Sequence, residues 1–370
     1  MMTLNQSKTV VVAMSGGVDS SVAAALLLEQ GFNVIGITMK IYDFDEVGGN
    51  VTNETSCCGL GAMNDARSAA AKLGIPHYVV DFREAFGREV IKNFVDEYMH
   101  GRTPNPCVIC NRTIKWGALL EKARALGADY LATGHYVRLR FDERHQRHVL
   151  SKAAYIQKDQ SYALWGLTQE MLSRTMFPLG QLTKPEVRRL AQQFNLKNAE
   201  KQESFEICFV ADDNYYRFLK NQVPGLEEKV NNGNILLNNN VVGKHKGYPF
   251  YTIGQRRGIG AFGKPMYVTG IESDSNTVFI GPNEQLFQNG LIARQMNLIG
   301  RGTLDRELEV TVKVRYKDEP TPATAFPDGA DGFRVIFQSP KRAITPGQSA
   351  VLYDGDDVVG GGVIKSVVKN

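Results

Sequence analysis

The chain opens with two alternating hydrophobic periods. Thr9–Met14 is a short apolar run biased to β-branched residues, and Asp19–Gln30 has helical spacing up to Gly31, the residue type that commonly follows a helix end. Strand-like Asn33–Met39 and helix-like Ala62–Leu73, stopped by Gly74, repeat the pair. His77–Phe82 predicts a third strand and Ala85–His100 an amphipathic helix ended by Gly101. Asn111–Leu126 predicts a helix ended by Gly127, and Tyr130–His135 a fourth strand. Strands alternating with such helices predict a parallel sheet covered on both faces. Ligands of such sheets sit at the carboxyl ends of the strands, near a switch in strand order.

Later the pattern changes. Arg138–Leu150 predicts a charged β-hairpin and Val187–Phe194 another helix. Near residue 212 the character shifts, with turn clusters at Asn231–Asn234 and Asn238–Asn240. Beyond about Leu286, Leu308–Tyr316, Phe333–Phe337, Ser349–Tyr353 and Val358–Ile364 read as short strands between turns. The expected architecture is α/β, with an N-terminal parallel-sheet domain over 1–212. A small central domain over 213–285 and a C-terminal all-β, barrel-like domain over 286–370 follow.

Composition narrows this picture only slightly. At 370 residues, 43% hydrophobic and 22% charged, the chain can bury ordinary cores without disulfide staples. No apolar run reaches the roughly 18 residues a membrane span needs, and Met1–Lys8 lacks the apolar core of a signal peptide. Five cysteines, an odd number, fit a reducing compartment. A cytoplasmic location with no membrane partner is expected. The net charge of +4 permits an anionic partner without demanding one.

The most informative segment is Ser15-Gly16-Gly17-Val18-Asp19-Ser20-Ser21, between the first strand and the first helix. Glycines let a backbone approach phosphate oxygens, and the following helix N-terminus supplies N–H donors and partial positive charge. Three serines offer hydroxyls, and Asp19 is a candidate helix cap or Mg2+ holder through water. The 1–212 domain is thus expected to bind nucleotide. The loop lacks the lysine of a Walker A motif, so γ-phosphoryl transfer is not its obvious chemistry. Gly258–Lys264 has Walker A spacing, but Pro265 takes the Ser/Thr position and no helix pattern follows; it reads as a turn.

Cys107 and Cys110 form a CxxC ahead of the predicted helix Asn111–Leu126, where a helix N-terminus favours thiolate. By itself a CxxC supports three readings: metal or cluster ligands, a redox or catalytic pair, or a structural element. Locally, Cys208 looks like a small buried hydrophobe, and the adjacent Cys57 and Cys58 look non-catalytic. Lys158, Arg138, Arg140, Arg144, Arg147, Lys184, Arg188, Arg189, Arg256 and Arg257 are candidate phosphate contacts, each alone an ordinary surface charge. His145 and His148 read as polar surface. Tyr155, Tyr162, Trp165 and Tyr316 are candidates for stacking on a splayed base, with Trp165 equally suited to the core.

Ser15–Ser21 resembles the pyrophosphate loop of the ATP-pyrophosphatase (adenine nucleotide α-hydrolase) superfamily. The chain as a whole is similar to the tRNA-specific 2-thiouridylases. That second resemblance rests on Ala13–Ser20, Gly101–Asn111, Ala132–Tyr136, Lys158–Leu167, Phe177–Ala191, Ile207–Phe209, Tyr251–Gly260, Arg315–Tyr316 and Thr345–Gln348. It implies a tRNA-uridine 2-sulfurtransferase that uses ATP with Mg2+, acts on the wobble uridine of tRNA, and takes sulfur from a persulfide carrier protein. It further implies ATP contacts by Ala13, Met14, Ser15, Gly16, Gly17, Val18, Asp19, Ser20, Met39 and Gly134. Cys110 corresponds to the nucleophile and Cys208 to the persulfide cysteine, joined as a disulfide during turnover. Asn105, Pro106 and Cys107 correspond to residues at the target base, and Lys158, Asp159, Gln160, Arg315 and Tyr316 to residues on tRNA. Many members carry Asp where this chain has Cys107. A thiol is a poor general base but a good iron ligand, so Cys107, Cys110 and Cys208 also read as ligands of a 4Fe–4S cluster, beside the cluster-free persulfide route. Either way the two distant thiols must meet, which a mobile segment around Lys201–Glu206 would permit.

Overall fold

A computed structural model describes residues 7–43, 60–196, 207–210, 212 and 214–368. Cys57, Cys58 and the segment Lys201–Glu206 lie outside the described residues. The chain divides into two compact units: residues 1–90, 107–213 and 356–358, and residues 91–106, 214–355 and 359–370.

The first unit contains strands β1 (Thr9–Ala13), β2 (Asn33–Lys40), β3 (His77–Asp81) and β4 (Tyr130–Ala132), the hairpin β5 (Val137–Asp142) and β6 (Arg147–Lys152), and β7 (Thr175–Met176). Five of them make a wholly parallel sheet in the order β3-β2-β1-β4-β7. Val10, Val11 and Val12 of the central strand are fully buried. The helix Val18–Glu29 contributes Val18, Val22, Ala23 and Leu27 to one core with Val10, Val12 and Val34. Val187 and Ala191 of the helix Lys184–Gln193 complete that core. The chain leaves β1 towards β2 on one side and returns to β4 on the other. The strand order therefore reverses at β1, and its carboxyl end runs into Ser15–Ser21, where such folds bind ligands.

Two helices depart from their expected form. Residues 83–99 are one helical run with a π-wound stretch, Gly87–Ile91, between Arg83–Phe86 and Lys92–Met99. The run expected to begin at Asn111 begins at Pro106, with Pro106–Ile109 followed by a π-helix, Cys110–Leu119, and then Leu120–Ala125. Asn105 and Pro106 supply the reason, because Asn suits the N-cap and Pro the first helical position. Cys107 thus lies in the first turn and Cys110 inside the helix, so the CxxC does not precede it.

In the second unit, β8 (Gly233–Leu237), β9 (Asn240–His245), β10 (Tyr267–Glu272) and β11 (Thr277–Gly281) form a sheet in the order β10-β11-β8-β9. The expected turn at Asn238-Asn239 joins β8 to β9, with φ of +49° and +65°, which asparagine tolerates. The strands β12 (Phe287–Leu298), β13 (Leu308–Lys313), β14 (Thr321–Pro327), β15 (Phe333–Arg342), β16 (Ser349–Asp354) and β17 (Asp357–Val368) follow. They run β12-β15-β14-β13-β16-β17, and β12 pairs antiparallel with β17 to close a barrel. Alternate residues such as Val310 and Val312 face the barrel core, where the small Ala323 and Ala325 leave room for Phe333 and Val335. The segment Gly258–Lys264 is turns with no helix after it, as its sequence suggested.

Candidate active site

The loop after β1 is held largely by itself. The Ser20 hydroxyl donates to the Gly17 carbonyl (3.1 Å) and accepts from the Ser15 N–H (3.2 Å). The Ser21 hydroxyl donates to the same carbonyl (3.1 Å). Ser20 and Ser21 are buried and Ser15 is exposed. This corrects the expectation of three hydroxyls for a ligand: two shape the loop, and Ser15 faces outward. Gly16 has φ +73°, and a Cβ there would fall 2.1 Å from the Ala62 carbonyl oxygen. A Cβ on Gly134, just past β4, would fall 2.7 Å from the Ser20 nitrogen. Both glycines are therefore required by close backbone approach. Met14 is buried beneath the loop, its carbonyl accepting from the Thr38 hydroxyl (2.7 Å); Met39 is the next residue of β2.

Asp19 does not cap the helix. Its carboxylate accepts from Lys184 Nζ (2.7 and 2.8 Å) and from the Tyr136 hydroxyl (2.7 Å). Lys184 is buried against Asp19, so it braces the loop and is not the ordinary surface charge that the candidate phosphate contact was weighed against. The signal was legible in Thr183–Glu186. Thr183 and Glu186 form a capping box, which starts the helix at Lys184 instead of Val187. A cation thus stands beside the loop although the loop has no lysine of its own.

Sequence reasoning also missed the group at the end of β4. His135 Nδ1 lies 2.7 Å from Thr133 Oγ1, and Nε2 lies 3.5 Å from Lys115 Nζ. The ring sits near Trp116 and Phe177. Burial, with the Lys115 charge second, holds the His135 pKa well below the usual histidine range. The Lys115 ammonium can only donate, which assigns Nε2 as its acceptor and Nδ1–H as donor to Thr133. Lys115 lies five residues beyond Cys110 in the π-helix, a spacing that returns to a similar side of so wide a turn.

Cys107 is exposed, and Cys110 and Cys208 are half-buried. Beside Cys110, the buried Asn111 amide donates to the Ala163 carbonyl (2.9 Å), tying this helix to the 158–167 loop. Cys208 lies in a turn closed by the Val210 N–H to the Ile207 carbonyl (2.9 Å). Its neighbour Phe209 is buried edge-on to Phe86, with ring centroids 5.5 Å apart. Among the described residues no three His, Cys, Asp or Glu side chains gather as a metal site.

The residues expected on RNA divide by burial. The Asp159 carboxylate is buried and accepts from Ala153 N–H (3.0 Å), Ser161 N–H (3.2 Å) and Ser161 Oγ (2.8 Å), so it shapes the loop carrying Lys158. The Gln160 side chain accepts from the Tyr136 N–H (2.9 Å). Arg138 and Arg140 pair with Asp356 (2.8 Å) and Asp357 (2.6 Å). Tyr162 and Trp165 are buried in the core, which removes them as stacking platforms. In the second unit Tyr316 is exposed, and Arg315 lies 3.6 Å from Asp318.

Three family models match the chain in succession. One described as "tRNA methyl transferase HUP domain" covers residues 8–212, more than half of the chain. "tRNA methyl transferase PRC-barrel domain" covers 217–282 and "Aminomethyltransferase beta-barrel domain" covers 288–364. A tRNA-specific 2-thiouridylase MnmA of Salinibacter ruber is 51% identical over 367 residues, covering 98% of this chain and 96% of the relative. The chain belongs to the tRNA-specific 2-thiouridylase family. Members with the same printed name from Cytophaga hutchinsonii and Clostridioides difficile are 50% and 47% identical. They align over 99% and 97% of this chain and over 100% and 98% of their own lengths. The phosphate loop, the CxxC and the barrel loop Thr345–Gln348 all fall within those full-length alignments. No described helix is long and apolar enough to cross a membrane.

Proposed function

We propose that this protein is a tRNA-uridine 2-sulfurtransferase. The observation that carries the reading is near full-length identity to named 2-thiouridylases in a chain whose glycine–serine loop lies at the strand-order switch. The model labels name methyl transfer, a chemistry that needs neither a phosphate loop nor paired thiols. Three segments divide the work in this proposal: 1–212 for nucleotide and thiol chemistry, 213–285 as a central domain, and 286–370 as a tRNA-contacting barrel. The matched family models, over 8–212, 217–282 and 288–364, support that division.

ATP lies along Ala13–Ser20, with its phosphates on the loop N–H groups and near Lys184; Met39 and Gly134 border the same loop. Mg2+ bound with the phosphates would neutralise their charge, while Asp19 is already engaged by Lys184 and Tyr136. A wobble uridine beside Asn105, Pro106 and Cys107 attacks the α-phosphorus through its C2 carbonyl oxygen. The α–β anhydride breaks and pyrophosphate leaves. Adenylation is needed because that oxygen does not depart unaided. Sulfur comes from a persulfide on Cys208, loaded by a carrier protein. Cys110 thiolate attacks Cys208 Sγ, either before transfer, releasing hydrosulfide, or after the outer sulfur has bonded to C2. Both routes expel AMP, leave sulfur on C2 and form a Cys110–Cys208 disulfide, which a dithiol reductant must reopen. Lys158, Gln160, Arg315 and Tyr316 hold the RNA, with Asp159 supporting the loop of Lys158 and Gln160. No step in this route runs through an iron–sulfur cluster.

Transfer of radiolabelled persulfide sulfur to tRNA tests the reading. Cys110→Ser and Cys208→Ser are each expected to lower transfer by at least about 1000-fold while ATP binding survives. Full turnover by Cys208→Ser would remove the persulfide assignment.

A further inference from the structure

The segment 99–106, which leads into Cys107, has little structure of its own. Pro104 and Pro106 lack N–H groups, so the strap can neither continue a helix nor pair as a central strand. Beyond the bonds of residues 100–102 to the preceding helix, it is gripped by residues far away in sequence, all within the second unit. The Tyr248 hydroxyl donates to the Met99 carbonyl (2.6 Å). Gly101, at φ +69°, lies so close to Ile271 that a Cβ would fall 2.9 Å from its Cγ2. Arg102 forks onto Glu97 through Nε (2.8 Å) and a terminal nitrogen (2.6 Å).

The tightest grip comes from a barrel loop, Thr345–Gln348. The Pro346 carbonyl accepts from the Thr103 N–H (2.9 Å). The Gln348 amide donates to two successive carbonyls, Thr103 (3.2 Å) and Pro104 (2.8 Å). Gly347, at φ +91°, makes room: a Cβ there would fall 2.6 Å from the Thr103 oxygen and 3.0 Å from Glu97 Oε2. The loop is pinned in turn by β17, where Ile364 exchanges hydrogen bonds with Gly347 (2.9 Å) and Gln348 (2.8 Å). Two carbonyls that the strap cannot satisfy internally are thus fixed by one side chain on a braced loop.

We infer that the barrel loop 345–348 sets the target-base segment, and that Gln348 is a positioning residue for sulfur transfer. Its amide fixes the backbone immediately before Asn105 and Pro106. The inference rests on the reading of Asn105–Cys107 as the base-contacting stretch. A reacting base tolerates little displacement, so loosening this strap lowers the rate of a bound complex more than its affinity.

The test uses full-length protein. Gln348→Met keeps the length of the side chain and removes both donors; Gln348→Lys restores donors of similar reach. Q348M is expected to lower kcat for sulfur transfer at least about tenfold, with KM for tRNA and affinity for ATP within about threefold of wild type. Q348K is expected to recover most of that loss. Hydrogen exchange in peptides spanning 99–107 should quicken about tenfold in Q348M and return towards wild type in Q348K. Wild-type kcat in Q348M, or equal losses in both variants that follow a loss of folded protein, would overturn the clamp. A wild-type protein that transfers no sulfur counts against the proposed function instead. In that event the exchange measurement alone decides the clamp, and unchanged exchange in Q348M overturns it.

Discussion

The phosphate loop and the strap ahead of Cys107 both hold a stretch of backbone in place, by opposite means. The loop 15–21 is fixed chiefly by its own serines on its own Gly17 carbonyl, with two glycines allowing close neighbours. The strap 99–106 is fixed by Tyr248, Pro346 and Gln348. A locally built site survives in short sequence windows. A remotely built one exists only when distant segments have folded.

Substitutions separate the two. Gly16→Ala should have the largest effect after loss of the thiols. Left-handed strain and the Ala62 contact should together weaken ATP binding by roughly 10–100-fold, seen by nucleotide titration. Gln348→Met should leave that titration unchanged, and a crossed result would break the distinction. Lys184→Met comes next. It leaves the Asp19 carboxylate without its buried cation and should cost about 1–3 kcal/mol of stability, with about tenfold weaker ATP binding; thermal unfolding and titration read the two effects. Arginine at 184 should recover part of the loss.

The smallest effect is on pH. Burial lowers the pKa of His77, His135, His148 and His245 below the ordinary 6.5. Below that value the unfolded chain binds protons that the folded chain refuses. Stability is therefore fully present above about pH 6.5 and lost as pH falls, by about 1.4 kcal/mol for each tenfold difference in proton affinity. Thermal midpoints between pH 8 and 5 should stay level and then drop, and a midpoint that rises on acidification would contradict the neutral assignment of His135.

These differences explain what the sequence disclosed. The parallel sheet, the switch at β1 and the glycine–serine loop follow from local periodicity and turn chemistry, and all were legible. The helix start at Pro106 was missed because hydrophobic period outweighed the Asn105-Pro106 cap signal, and Lys184 was misplaced because the capping box at Thr183 went unread. The Ser20 and Ser21 hydroxyls, expected to face a ligand, bond to Gly17 instead, since composition cannot say which way a hydroxyl points. Gln348 is invisible locally, because nothing near it in sequence names carbonyls at 103 and 104.

The barrel closes only when β12 pairs with β17, so its ring is incomplete until residue 368 has left the ribosome. The loop after β1, by contrast, needs nothing beyond the helix that carries Lys184. Synthesis therefore sets the grip on residues 103 and 104 last. A chain cut short of β17 would keep that loop but lack the brace on residues 103 and 104.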